Sequence, residues 1–289
     1  IYWINDEYAA FYQGIIDDII AHPHRTVEEV ALEHCEREMG ENTYKDLRMA
    51  LHRMIFIDIY VRNYWRREAV KVLVDAGMQV DVFGKGWDEL TCEHPENMIL
   101  HPQTTSEECL KAIAASKISL NVMPWFKDGA HDRVFNSILN GTVSVTDTSK
   151  YLCGELKEGQ GVCYYDLAHM ERLPELVRDL LADDAHREEI VRAGIPVVEE
   201  KHTWIRRAHQ LLEWIEEDEG RSERKDGEEN GNNQGKTIHD ICVIWDFKIR
   251  NDRFAEFFDL HVAAVIFSDW NRRIDDVWDH HHDLCYFFL

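Results

Sequence analysis

The chain lacks any basic run, any apolar stretch approaching 18 residues, and any Cys-x-x-Cys pair. Against 32 Lys+Arg stand 55 Asp+Glu in 289 residues, a formal charge of −23. A surface that reads nucleic-acid phosphates needs clustered Lys/Arg, so this balance argues against a nucleic-acid partner. The missing apolar stretch leaves no candidate for a transmembrane helix. No charged n-region followed by an apolar h-region succeeds Ile1, so a cytoplasmic location is expected. A start without Met leads one to expect a fragment or a processed product. Seven cysteines, scattered and odd in number, fit neither a disulfide framework nor a zinc knuckle, and ordinary reduced thiols are expected.

What the chain has in quantity is aromatic side chains: nine Trp, ten Tyr and twelve Phe, which excludes bulk disorder. The length allows one large domain or two ordinary ones. Residues 1–60 read as a helical segment. Ile15, Ile16, Ile19 and Ile20 make one helical stripe, and Leu47, Leu51, Met54 and Ile55 a second. Thr26 followed three positions later by Glu29 is a capping-box signature after the His22-Pro23-His24 turn.

From residue 61 to 215 short apolar runs alternate with amphipathic helices. Strands are expected at 80–83, 98–100, 118–122, 142–146 and 162–165, with helices at 65–76, from 105, at 131–140, near 173–193 and at 203–215. Strands joined by such helices form right-handed βαβ crossovers, so the fold class is α/β: a doubly wound parallel sheet. Residues 216–236 hold no aliphatic or aromatic side chain and are expected to be a disordered linker. Residues 237–289 form a C-terminal extension, too short for a strong core of its own.

Ligands of open parallel sheets bind beyond the carboxyl ends of the strands. Three loops lie there: Gly84–Trp87, Pro124–Arg133 and Asp147–Lys150. In the first, Gly84 and Gly86 let backbone amides approach phosphate oxygens and Lys85 adds charge; an ordinary strand-to-helix turn fits the residues equally. In the second, Asp128-Gly129 leads through His131, Asp132 and Arg133 into a helix closed by Gly141. That helix start is a ready site for a diphosphate, with Asn136 one turn in to bond a ribose and Asp128 to face a sugar hydroxyl. The alternative is that Asp132 and Arg133 only solvate a helix start. Arg62 and Arg67 are further phosphate candidates, unless they simply face solvent.

The strand 118–122, Asp128-Gly129, Asn136, Gly141 and the strand 142–146 together resemble the donor-binding signature of GT-B glycosyltransferases of the group-1 type. The closer resemblance is to the glycosyltransferase-like group that includes the CgeB spore-maturation proteins. It is carried by Arg133-Val134-Phe135-Asn136, Gly141, the strand ending at Asp147, His202-Thr203-Trp204, and Phe83–Trp87 upstream. The likeness covers about residues 60–215 and implies the C-terminal, Rossmann-like donor domain of a GT-B fold, with residues 1–60 as the end of its N-terminal half. It implies metal-independent transfer of a hexosyl unit from a nucleotide-diphosphate sugar to an acceptor glycan, protein or lipid-linked sugar, with no cofactor. Gly84, Lys85, Gly86, His131 and Arg133 would then hold the diphosphate, Asn136 the ribose and Asp128 the donor sugar, with Asp132 also at the donor site.

Asp128 and Asn136 stand where the pattern has two glutamates, which keeps a second reading open: a non-catalytic nucleotide-sugar-binding module or a lapsed transferase. A third places function in the tail, where Asp275, Asp276, Asp279, His280, His281, His282, Asp283 and Cys285 crowd together; Asp276 and His280 have the i, i+4 spacing of metal ligands. The stripe Trp204, Leu211, Leu212 and Ile215, if partly uncovered, leads to an expectation of self-association.

Overall fold

The computed structural model describes residues 6–39, 54–124, 127–226 and 286–288. The chain divides into two compact units, Ile1–Arg207 with Asp283–Leu289, and Ala208–His282. All that follows concerns the first unit unless stated.

Two helices open it, α1 (Asp6–Ala21) and α2 (Val27–Met39). Ile15, Ile16 and Ile19 are buried, as their spacing requires. The capping box is complete: Glu29 N–H donates to Thr26 Oγ1 and Thr26 N–H to Glu29 Oε2, each at 3.1 Å. Thr26→Ala removes that acceptor and is expected to cost about 1 kcal/mol, measurable as a fall of about 2–4 °C in the unfolding midpoint.

α3 (Ile55–Asp75) is longer than its amphipathic part suggests and runs across the boundary expected near residue 60. It buries Ile57, Val61, Trp65, Ala69, Leu73 and Val74. These residues share one core with Ile15, Ile19 and Val30 of α1–α2 and with Val80, Val82 and Leu120 of the sheet. The N-terminal helices therefore pack into the α/β core rather than forming a separate layer.

The strands are β1 (Val80–Phe83), β2 (Met98–His101), β3 (Ile118–Asn121), β4 (Val143–Asp147) and β5 (Val162–Tyr165), within a residue of the expected positions. Between them lie α4 (Ser106–Ala115), α5 (Asp132–Leu139) and α6 (Lys150–Glu155); α7 (Leu173–Ala182) and α8 (Asp184–Lys201) follow. β1 pairs with β2, and β3 with β4 and β4 with β5, all in parallel. Every residue of β3 and β4 is buried, as expected of strands covered on both faces. A second, smaller core under α5, α6 and α8 contains Met123, Val134, Ile138, Leu152, Leu156 and Val198.

One strand adds to the parallel pattern. A short β6 (Tyr286–Phe288) pairs antiparallel with both β1 and β3, giving the order β2-β1-β6-β3-β4-β5. The last helix, α9 (Trp204–Asp226), continues past residue 215, so the first part of the stretch read as a linker is helical. Its residues from Ala208 onward belong to the second unit. Trp204, Leu212 and Ile215 of its apolar stripe are exposed. The His- and Asp-rich cluster at 275–285 and the rest of the 216–236 stretch lie outside the described residues.

Candidate functional site

The carboxyl ends of β3 and β4 carry a buried polar network. Asn121, the last residue of β3, donates through Nδ2 to Thr146 Oγ1 at 2.9 Å and accepts from Arg133 Nε at 3.1 Å. Its backbone carbonyl accepts from the Tyr165 hydroxyl at 3.0 Å. Buried polar groups persist only when so paired, and these bonds fix the entry of α5 against three strands. Arg133 is therefore not a solvated helix-start residue: it is 4% exposed and anchored to the sheet.

Asp147 closes β4 and is also buried. Its Oδ1 accepts from Met123 N–H at 2.5 Å, and its Oδ2 lies 4.0 Å from Lys127 Nζ. Burial pushes the Asp147 carboxyl up to about 6, although Lys127 and the Met123 N–H pull the other way. Burial likewise lowers Lys127, against the opposing charges of Asp147 and Asp166. The loop between β3 and α5 is stapled at several points. Lys150 N–H donates to Lys127 O at 2.7 Å, Ser149 Oγ to Gly129 O, and His131 N–H to Met123 Sδ at 3.2 Å.

His131 is the N-cap of α5. Its Nδ1 accepts from Arg133 N–H at 3.3 Å, and the ring lies against the Asp132 carboxylate. Burial, reinforced by the charge of Arg133, lowers the His131 pKa and favours a neutral ring. Burial alone would raise Asp132, but His131 and Arg133 outweigh it and leave that carboxylate lowered. Asn136 sits one turn further on, half-buried. On the neighbouring face Phe135 stacks on His202 with ring centroids 4.3 Å apart, and Arg207 bridges His202 Nδ1 (2.9 Å) and the Tyr151 hydroxyl (2.6 Å). The His202-Thr203-Trp204 element thus braces α5 from behind.

A cleft of about 510 Å³ opens beside this network, with His24, Glu29, Lys127, Asp128, Ser149 and Lys150 in its walls. Asp128 and Lys150 are 3.9 Å apart and largely exposed, so their mutual attraction is weak and both remain available to a ligand. Two lysines against Asp128 and Glu29 make the cleft locally neutral in a chain of charge −23, which lowers the barrier to an anionic ligand. A smaller cavity of about 260 Å³ lies at the opposite, amino ends of β3 and β4; there Asp184 pairs with Lys117 and Arg187, and Glu188 adds a further carboxylate to the wall.

The structure thus gathers Asp128, His131, Asp132, Arg133 and Asn136 at one end of the sheet. Gly84, Lys85 and Gly86 leave the same end of β1, with Gly84 and Gly86 at φ of 120° and 79°, conformations a side chain resists. β6 stands between β1 and β3 in the strand order, and Lys85 is exposed with no ion pair among the described residues. Arg62 and Arg67 are engaged locally, Arg62 with Asp58 and Arg67 with the Glu89 carbonyl at 2.9 Å. The arginine of α3 near the site is Arg66, buried and close enough for its charge to depress His131. Asp147 was marked in the sequence as the end of its strand and Lys127 lay inside a loop picked out there, but neither was given a role, and His24 was read only as part of a turn.

Residues 62–213, more than half of the chain, match the family model described as glycosyl transferase-like. The match runs from α3 into α9 and takes in β1–β5 and the loops that carry the network and most of the cleft. No curated protein matches the chain. Among the described residues no group of three or more His, Cys, Asp or Glu is arranged to hold a metal ion, and no helix is long and apolar enough to cross a membrane.

Proposed function

The chain belongs to the glycosyl transferase-like family, and from that membership we propose that it moves a hexosyl group from a nucleotide-diphosphate sugar to an acceptor. The observation that supports this most directly is the cleft at the carboxyl end of β4, flanked by Lys127 and Asp128 of the loop that leads into α5 and by Lys150 of α6. In this reading Lys127 and Lys150, the α5 dipole and the buried charge of Arg133 offset charge that builds on the departing diphosphate, without a metal. Asn136 receives the ribose and Asp128 a hydroxyl of the donor sugar. Lys85, on the glycine-flanked turn after β1, is proposed as a further ligand of the diphosphate, although it does not line the cleft. The finer kinship to CgeB-type proteins rests on Arg133-Val134-Phe135, Gly141, Asp147 and His202-Thr203. The exposed Trp204, Leu212 and Ile215 of α9 support self-association as a further proposal.

A second reading, a nucleotide-sugar-binding module without turnover, is favoured by the burial of Arg133 against Asn121. Release of nucleoside diphosphate from a panel of UDP-, GDP-, CDP- and dTDP-sugars separates the two. The transferase predicts release from one donor family, with KM for that donor raised about tenfold by Lys150→Ala, a loss of about 1.4 kcal/mol of binding. Saturable binding without release from any donor contradicts it and leaves the module.

A further inference from the structure

The winding of the sheet leaves one place in it open. The chain passes outward from β1 to β2, returns to β3, and runs outward again through β4 and β5, with these pairings all parallel. The winding reverses between β1 and β3, which are not neighbours, because β6 separates them. In a wound sheet that place belongs to a parallel strand leading into the helix before β1. That helix is α3, and among the described residues only α1 and α2 precede it. The place is taken instead from the far end of the chain, by Tyr286–Phe288 running antiparallel.

β6 has the pairing of a docked peptide. Asp81, Val82 and Phe83 are opposed by Phe288, Phe287 and Tyr286, and Ser119 and Leu120 by Phe288 and Phe287. Three residues thus serve two strand edges, and each of those strands is already paired on its other side. Residues 208–282 belong to the other compact unit, so β6 reaches this sheet as a short separate piece. The walls have their own support: Val80, Val82, Ile118 and Leu120 share one core with Ala69, Val70 and Leu73 of α3. Left empty, the gap would strand buried backbone N–H and C=O groups of β1 and β3. Such facing edges take up an extended segment through main-chain hydrogen bonds.

We propose that the gap between β1 and β3 is a peptide-binding groove that works by strand addition, and that its occupant is the chain's own carboxyl terminus, docked reversibly. The groove adjoins the candidate site. Tyr286 stands opposite Phe83, so the tail enters the sheet at the carboxyl ends of the parallel strands, beside the Gly84–Gly86 turn. With neighbouring strands about 4.8 Å apart, a docked β6 sets β1 roughly 10 Å from β3. It thereby fixes the spacing between the Lys85 turn and the Asn121–Arg133 pair. Undocking releases β1 from that spacing. This consequence, unlike the groove itself, rests on the transferase reading: nucleotide affinity falls when the tail leaves.

The first test uses the full chain. Directly opposed residues of antiparallel strands have Cα atoms about 4.5–5.5 Å apart, within disulfide reach. Asp81→Cys combined with Phe288→Cys, opposed in the register, is expected to form an intramolecular disulfide on mild oxidation, located by peptide mass mapping. Absence of that bond, or a bond to a second copy, overturns the proposal. The second test asks whether the tail behaves as a ligand. Phe287→Pro deletes an N–H from the ladder and is expected to speed amide exchange at 80–83 and 118–121 about tenfold, with little change at 143–147 and 162–165. A synthetic peptide of residues 283–289 is expected to restore slow exchange saturably, and the same peptide carrying Phe287→Pro is not. A strand merely built into the fold would show the loss without the rescue. Unchanged exchange in the variant, or no rescue, overturns reversible docking. Thermal shift with UDP, GDP, CDP and dTDP reads the link to the site: Phe287→Pro is expected to weaken the bound nucleotide about tenfold, and the peptide to restore it. Equal affinity with the tail docked and displaced contradicts that link. If the wild type binds no nucleotide, the transferase reading fails, and the disulfide and exchange results judge the groove by themselves.

Discussion

Gly194→Ala is expected to lower the unfolding midpoint by about 5–10 °C, although it adds one methyl group. Gly194 lies on α8 where the helix crosses the turn into β5. A Cβ there would sit 2.7 Å from both the Cα and the N of Gly161, and 2.8 Å from the Gln160 carbonyl carbon. All three are backbone atoms, so no side chain can rotate to relieve the clash. Gly161 cannot retreat either. Its N–H donates to Ile190 O at 2.8 Å, its carbonyl accepts from Ser144 N–H at 2.9 Å, and Ile138 of α5 occupies the space where its own Cβ would point. The substitution must push α8 off β4, β5 and α5 together, at a cost of about 2–3 kcal/mol. Chemical denaturation of the two proteins measures it; a difference below half a kcal/mol would show that α8 is not seated this closely.

Asp147→Asn is expected to change how stability depends on pH. In the folded chain the Asp147 carboxyl is raised from 3.8 to about 6 by burial, so the native state holds its proton more tightly than the unfolded chain. Ionising this group therefore costs stability. The cost is absent below the unfolded value, grows as pH rises through the window between 3.8 and 6, and is complete above it. At 1.36 kcal/mol per unit it amounts to about 3 kcal/mol. Asparagine keeps the shape and the acceptor for Met123 N–H but cannot ionise. It leaves Lys127 without its counter-charge, an offset that is nearly constant over this range. The stability of Asp147→Asn relative to wild type should thus improve by up to about 3 kcal/mol between pH 4 and pH 7. Urea titrations at both pH values measure it, and parallel pH profiles for the two proteins would contradict the burial of an ionised Asp147.

The strands and the main helices were legible because each is written in consecutive residues. Val162-Cys163-Tyr164-Tyr165 is a short apolar run between turn residues, and it is β5 to the residue. Thr26 and Glu29 announce α2 by the hydrogen bonds they go on to make. The continuity of α3 was not legible: residues up to 60 and residues 65–76 were each expected to be helical, but Ile55–Tyr60 is apolar at nearly every position and shows no period that would join the two into one helix. Nor was the continuation of α9 into Glu216–Asp226. A stretch without apolar residues cannot nucleate a packed helix, but Glu, Arg and Lys are good helix formers and extend one already begun.

The same distinction runs through the candidate site. Asp128, His131, Asp132, Arg133 and Asn136 fall within nine residues, so a local pattern could find them. His24, Lys127, Asp147 and Asp166 are gathered only by the crossovers and by the packing of α1–α2 on the sheet. No spacing in the chain encodes that meeting. Arg133 shows the converse: its position in the motif was legible, but its bond to Asn121 depends on a strand twelve residues upstream.

The central claim, that the carboxyl end of β4 holds a nucleotide-diphosphate sugar, is tested most directly by thermal unfolding with UDP, GDP, CDP, dTDP and their sugars, with and without EDTA. Ligand at a hundredfold over Kd should stabilise the chain by about 2.7 kcal/mol. The account predicts a shift with one nucleotide family, indifferent to EDTA, and weakened by Lys150→Ala and Asn136→Ala. No shift with any nucleotide, or a shift that both variants leave intact, would contradict it.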